Sequence, residues 1–417
     1  MKKFVLGAAA LGLTCLALTS CSGNSEKKET GKVIEDGKIG FILPGTIGTE
    51  TQTFIDHWTT LGKEYGVEII TKNFKGQDPS YYQTCANELI AQGADAIICN
   101  FEMDGKESVI ETCIDEEVYV GYSGSAVSDD VFKEWEENPY FLGQIAPSKE
   151  QEEKQAYDMT KYFIELYYGA NKIDRPAGTS DKFAVWPVDF HGINLEHQMT
   201  YRWKGIKKAL ADYGVTVSGD SDYDSAKWTV TYTADSILKD KVLIMGNNLT
   251  NMDALIAQCA GILAQNPCTV ITSCMADYLL NMFATYGAMA KGTRFATIDS
   301  FGTDYNKWFE ADSENKVPAF KVAHTPYMVG KFGAINEAIV AVTARAFAGD
   351  PIRAEGNKAI NVDQTYWVTT TKEEFLEAQR VSKAFAWKKA DFDKIKNEKD
   401  LQDLYDNATL ANLAKLI

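Results

Sequence analysis

The feature that most constrains the fold is an alternation of short, uninterrupted apolar runs with amphipathic stretches. Lys38-Ile-Gly-Phe-Ile-Leu43 is closed by Pro44-Gly45, and a helix-period segment follows through Phe54, Ile55, Trp58, Leu61 and Tyr65 to a stop at Gly66. The run Val67-Glu-Ile-Ile-Thr71 comes next, then an expected helix over 81–92 stopped by Gly93, then Ala96-Ile-Ile-Cys99. Strands with no polar face, separated by helices, need cover on both sides, which predicts parallel sheets between helical layers.

The pattern then returns. The stretch from Trp58 to Tyr65-Gly66-Val67 is echoed by Trp203 to Tyr213-Gly214-Val215, and Leu89-Ile-Ala-Gln92 by Ile262-Leu-Ala-Gln265, each ahead of a strand. The two echoes differ in spacing, which places an insertion in the polar stretch Ser218–Asn251. A chain of 417 residues, 45% hydrophobic and 12% aromatic, has the length and apolar content for two such α/β lobes. Facing lobes enclose a ligand at the carboxyl ends of their strands. The loops concerned are Pro44–Phe54, Asn100–Gly105, Tyr122–Ala126, Trp186–Arg202, Ser273–Asp277, Asp299–Thr303 and His324–Tyr327.

The amino terminus supplies an address. Met-Lys-Lys precedes an apolar run from Phe4 to Leu18, too short for a comfortable membrane span, and Leu18-Thr-Ser-Cys21 closes it. This resembles a bacterial lipobox, which implies cleavage before Cys21 and lipidation of its sulfur; the alternative is an ordinary signal peptide with an incidental Cys. Residues 1–20 are then the signal, and 21–37, rich in Ser, Gly and charge, a flexible tether. No later stretch is apolar enough to span a bilayer, so the expected membrane attachment is through the lipid anchor only, on the extracytoplasmic side. With 58 acidic against 42 basic residues the net charge is −16, which disfavours nucleic acid as a partner.

Beyond Cys15 and Cys21, six cysteines remain, in no zinc-type spacing, and are expected to be mostly free, buried thiols with one disulfide possible. Asp189 and His191 lie two apart without a third ligand nearby, so no metal and no cofactor is expected. No Gly-x-Ser-x-Gly, His-Glu-x-x-His or phosphate-cradling loop points to an enzyme.

From Lys38 to Thr370 the chain resembles the type-1 periplasmic sugar-binding family, the ribose- and galactose-binding proteins and their relatives. The resemblance is carried by Lys38-Ile-Gly-Phe-Ile, Asp78…Gln83…Glu88-Leu-Ile-Ala-Gln-Gly-Ala-Asp-Ala-Ile-Ile98, Arg202-Trp-Lys-Gly205, Ala296-Thr-Ile-Asp299 and Val322-Ala-His-Thr-Pro-Tyr-Met-Val-Gly330. It implies two similar doubly wound parallel-sheet lobes joined by a multi-strand hinge, a monomer closing over one small polar ligand, and delivery to an ABC permease. The implied division is 38–146 plus 324–361 for the first lobe and 147–323 plus 362–417 for the second, the latter ending in a helical extension over Lys372–Ile417 with no family counterpart.

Carried over by residue, the resemblance makes Arg202 a holder of ligand hydroxyls, Asp299 an acceptor from them, and puts His324 and Ser273 where Gln and Asn are usual. A forked guanidinium beside a carboxylate suits a polyol, which both donates and accepts. Phe54, Trp186 and Phe190 offer faces for a ring, and Glu50, Gln52 and Tyr122 complete the candidate set. Gly124-Ser125 stand where the family often has Asp-Arg. The ligand is therefore left as sugar-like or nucleoside-like, with a receptor-docking sensor and a surface hydrolase as alternative outputs on the same scaffold.

Overall fold

A computed structural model describes residues 31–43, 49–73, 80–100, 105–124, 126–187, 196–221, 225–246, 252–274, 293–299, 328–330, 337–384 and 386–417. Cys21, Phe190 and His324 lie outside them, as do Asp189 and His191; Glu50 and Asp299 are described in backbone only.

The first lobe runs β1 (Lys38–Leu43), α1 (Thr49–Tyr65), β2 (Glu68–Asn73), α2 (Ser80–Ala91), β3 (Ala96–Cys99), α3 (Val109–Asp115), β4 (Tyr119–Ser123), α4 (Asp129–Trp135) and β5 (Phe141–Ala146). The second continues with α5 (Lys149–Tyr168), β6 (Phe183–Trp186), α6 (Tyr201–Asp212), β7 (Val215–Ser218), β8 (Thr229–Tyr232), β9 (Val242–Ile244) and α7 (Met252–Gln265). Strands β10 (Val270–Ser273), β11 (Arg294–Asp299) and β12 (Met328–Gly330) follow. The chain then returns through α8 (Ala338–Phe347) and β13 (Ile360–Asp363), crosses again to β14 (Trp367–Thr369), and ends in α9 (Lys372–Ser382), α10 (Lys389–Phe392), α11 (Glu398–Asp406) and α12 (Leu410–Leu413).

Two six-stranded sheets result. The first has the order β13-β5-β4-β3-β1-β2, with every neighbouring pair parallel. The second has the order β14-β12-β11-β10-β6-β9, parallel except that β14 runs antiparallel to β12. The expected α/β class is what the chain adopts. All residues of β3, β4, β5, β6 and β10 are buried, as sheets covered on both faces require. Helix α8 is apolar nearly all round and correspondingly almost wholly buried, packed between α1 and strands β4 and β5.

The echoed punctuation marks real helix ends: Gly66 and Gly214 follow α1 and α6 with φ of 75° and 71°. After Gly214 the two lobes diverge. Strand β7 leaves the main sheet to pair antiparallel with β8, and β9 takes the edge position beside β6 that β2 holds beside β1. The added segment begins earlier than Ser218–Asn251, where the spacing placed it: the strand echoed after Gly214 belongs to the β7–β8 hairpin and not to the main sheet.

The lobes trade strands at their boundary. Strand β12, expected in the first lobe, pairs with β11 of the second sheet, and the last crossing falls between Asp363 and Trp367. The extension, assigned to the second lobe from sequence, lies on both: α9 against β14, α10 against α1 and α8, α11 along β13, and α12 back on α9. Its core is aromatic, with Trp387 edge-on to Phe392 (5.8 Å) and to Tyr405 (5.3 Å). All six cysteines from Cys85 to Cys274 are buried thiols. Among the described residues no helix is long and apolar enough to cross a membrane.

Candidate functional site

Strand order fixes where a ligand crevice lies. In each sheet the order reverses at one place, between β1 and β3 in the first and between β6 and β10 in the second, and loops leaving the strand ends diverge there. Around the first switch point Asn100 closes the end of the sheet: its backbone N–H reaches Ile42 O (3.2 Å) and its side-chain Nδ2 reaches Ser123 O (3.0 Å). Next to it, Gln144 of β5 accepts from Val127 N–H (2.8 Å) and donates to Asn361 Oδ1 (2.9 Å). These buried amides set the loop after β4 at a fixed height.

At the second switch point Trp186, Ser273 and Thr297 stand in one transverse row, the register pairing Trp186 with Ser273 and Ser273 with Thr297. Residues in register on parallel strands project from the same face. Trp186 and Thr297 are fully buried, yet among the described residues the indole Nε1 and the Thr297 hydroxyl have no hydrogen-bond partner, nor does the hydroxyl of Thr272, the residue before Ser273. A buried polar group left unpaired costs about 1–3 kcal/mol, and Trp186 and Thr297 place two such groups in one row at a sheet end.

The two edges meet. Gln198, from the segment between β6 and α6, donates from Nε2 to the Gly124 carbonyl at the end of β4 (3.4 Å), and both residues are buried. The carboxyl ends of the two sheets therefore face each other across this contact.

Arg202, expected to hold ligand hydroxyls, is engaged by protein groups. The residue is buried, and its guanidinium meets Glu152 through Nε–Oε2 (2.6 Å) and Nη2–Oε1 (3.4 Å), the Cys274 carbonyl through Nη1 (2.7 Å) and the Tyr366 hydroxyl through Nη2 (3.1 Å). Gly205, three residues on, lets α6 press against α5: a Cβ there would stand 2.1 Å from the Glu153 carbonyl. In this chain Arg202-Trp-Lys-Gly205 is a helix-packing device that also ties β10 and the last crossing to α5.

The remaining candidates divide by burial. Tyr122 is a core residue of β4 whose hydroxyl donates to Lys106 O (2.8 Å). Phe54 is buried on α1 beside Trp58, which itself stacks on Phe41 at 4.0 Å. Gln52 is exposed on the same helix and donates to Asp56 Oδ1 (2.9 Å). Sequence reasoning missed Gln144 and Glu152, and it placed Asn100 and Gln198 in ligand-facing loops without naming either as a site residue. Only Asn100 carried a signal, as the first polar residue after an apolar strand. Among the described residues no cluster of three His, Cys, Asp or Glu side chains could hold a metal ion.

Comparison with known proteins returns the fold. No family model matches the chain, and no curated protein matches it. Solved structures do. An ABC-transporter solute-binding protein from Agrobacterium vitis bound with alpha-D-tagatopyranose is similar with a TM-score of 0.55 and 12% identity, over 84% of this chain and 99% of that one. A 5-methylthioribose transporter solute-binding protein from Thermotoga lettingae, in complex with 5-methylthioribose, has a TM-score of 0.53 and 13% identity, over 86% and 97%. The periplasmic binding protein component of the arabinose ABC transporter from Shewanella sp. ANA-3, bound to L-arabinofuranose, has a TM-score of 0.51 and 13% identity, over 82% and 95%. The architecture is that of type-1 periplasmic binding proteins.

Proposed function

We propose that this chain is a lipid-anchored extracytoplasmic solute-binding protein, acylated at Cys21, that captures one small polar ligand between its lobes and presents it to an ABC permease. The observation that carries the reading is the row Trp186–Ser273–Thr297, where a buried indole N–H and a buried hydroxyl have no partner among the described residues at the switch point of the second sheet. An apolar ligand leaves such groups unpaired, whereas a ligand that both donates and accepts satisfies them. The structural neighbours carry sugars or a thio-sugar in their crystals, which supports a sugar-like ligand; a nucleoside presents similar hydroxyls.

In this reading Asp299, the last residue of β11, His324, and Glu50 and Gln52, at the start of α1, face the ligand, with Phe190 stacking on its ring. Phe54 and Tyr122 support the first lobe's edge from within its core. Arg202 acts at one remove, through Glu152 and the Cys274 carbonyl, by holding the end of β10 in place. Binding does its work by shifting the lobes toward a closed arrangement that the ligand prefers.

The test is a thermal-shift screen of the chain from Gly31 onward against monosaccharides, polyols, nucleosides, amino acids and short peptides. A ligand at a hundredfold excess over Kd stabilises the folded state by about 2.7 kcal/mol. The expected result is a sharp rise with one sugar or nucleoside, weakened about tenfold in affinity by Trp186→Phe, which removes the N–H and keeps a ring. A rise with none of these, or with peptides alone, would overturn the reading.

A further inference from the structure

Strand β13 ends the first sheet, so one row of its backbone groups faces away from its partner β5. Helix α11 of the carboxy-terminal extension covers that row. Glu398 Oε2 accepts from Asn361 N–H (2.5 Å), and Gln402 takes Asp363 from both sides, Oε1 accepting from its N–H (2.8 Å) and Nε2 donating to its carbonyl (3.0 Å). The fit is geometric: four residues of helix rise about 6 Å, and two residues of strand about 6.6 Å. Residues i and i+4 of the helix therefore meet residues i and i+2 of the strand. Asp406, one turn further, holds the Gln402 amide in orientation (2.9 Å).

The same contacts run across the crossing between the lobes. On the second-lobe side Trp367 Nε1 donates to the Ala408 carbonyl just past α11 (2.8 Å). On the first-lobe side the Glu398 N–H donates to Arg353 O (3.0 Å). Asp363 also reaches the other described crossing, since its carboxylate accepts from Ser148 N–H (2.7 Å) and Ser148 Oγ (3.0 Å) between β5 and α5. Two crossings are thus tied together, and one is clamped end to end by a helix.

We propose that the Lys372–Ile417 extension is a splint on the hinge, with Gln402 as the residue that positions the β13–β14 crossing so that residues 361–367 move as one piece with α11. Bending between the lobes is then damped at this crossing and at Ser148, and the lobes keep to a narrow range of separations. The proposal rests on the reading of the lobes as a hinge-bending pair, but its test needs no ligand.

The experiment compares the whole protein with Gln402→Ala, Gln402→Glu and, as a control on the exposed side of the same helix, Lys399→Ala. Amide hydrogen exchange is followed at residues 146–148 and 361–367, and small-angle X-ray scattering reports the spread of the lobes. Removing the whole extension would delete the buried Phe375, Leu401 and Tyr405 from the core, so the single polar substitution is the informative one. With Gln402→Ala, exchange at Asp363 and at Ser148 is expected to rise about tenfold, with a larger maximum dimension in scattering. Gln402→Glu, which still accepts from the Asp363 N–H, is expected to restore part of the protection, and Lys399→Ala to change nothing. Loosening confined to Asp363, with Ser148 and the scattering unchanged, would overturn the splint. An empty solute screen would count against the proposed cargo and leave this outcome standing.

Discussion

Glu152 receives Arg202 on both of its oxygens inside the second lobe, 2.6 Å from Nε to Oε2 and 3.4 Å from Nη2 to Oε1, with neither side chain reaching solvent. Desolvating two charges consumes most of what their attraction returns, so the pair matters chiefly when it is broken. Glu152→Gln leaves a buried guanidinium without its counter-charge and is expected to cost about 3–5 kcal/mol in urea denaturation of the protein. Replacing both partners, Glu152→Gln with Arg202→Met, is expected to recover much of that loss. A single substitution costing no more than the pair would refute this account.

Gly143 lies in β5 at φ 101°, opposite Ile360 of β13, and a Cβ there would stand 2.0 Å from the Ile360 carbonyl. Gly143→Ala combines a left-handed backbone with a clash against main chain that cannot rotate away. The expected cost is about 3 kcal/mol or more, with the exchange protection of β13 lost first. A variant with parent-like melting would show that the strand can move aside.

Glu337, at the start of α8, is fully buried, with His57 Nδ1 at 3.9 Å, while His57 Nε2 lies 3.1 Å from the Lys383 carbonyl. Burial drives the Glu337 carboxyl well above its ordinary value of 4.5 and lowers His57 from 6.5. The contribution of Glu337 is fully present below 4.5 and is lost as pH rises through its folded value, because only the unfolded chain ionises readily. His57 runs the other way: its contribution is present above 6.5 and is lost as pH falls through its depressed value. Glu337→Gln removes the first dependence alone, so the variant should gain on the parent between pH 5 and pH 8, by at most about 1.4 kcal/mol per pH unit. Equal differences in unfolding free energy at the two pH values would contradict the assignment.

The six buried thiols are expected to be silent toward a disulfide reagent in the native protein and to react together after denaturation. Burial pushes Cys113, Cys259 and Cys268 up to about 12, so almost none of their thiolate exists at neutral pH. Titration with Ellman's reagent, with and without guanidinium, checks this; rapid modification of the native chain at any of the six would show an opening that the packing does not provide.

Much of the architecture was legible because it is local. Ala96–Cys99 is a strand exactly as its apolar run reads, and helix α2 begins and ends within a residue of its pattern. The site was less legible because its partners are distant. Arg202 was identifiable beside Gly205, but nothing in the spacing shows that Glu152, 50 residues earlier, is its counter-ion. Tyr122 borders a loop in sequence and still turns into the core, a choice made by the pleat and the packing of α3. The extension announced itself as amphipathic helix, whereas its landing place is a row of backbone groups on β13, which leave no trace in side-chain identity.

The return of the chain to its first lobe also sets the order in which this protein can be built. Gln144 and Asn361, neighbours across β5 and β13, are 217 residues apart, and the second sheet likewise waits for β14. A nascent chain halted before Ile360 has two sheets, each short of an edge strand. Contacts of such long sequence separation form slowly and late. Folding should therefore be a single closing event that begins once the last sixty or so residues are free, with both halves maturing together instead of one after the other.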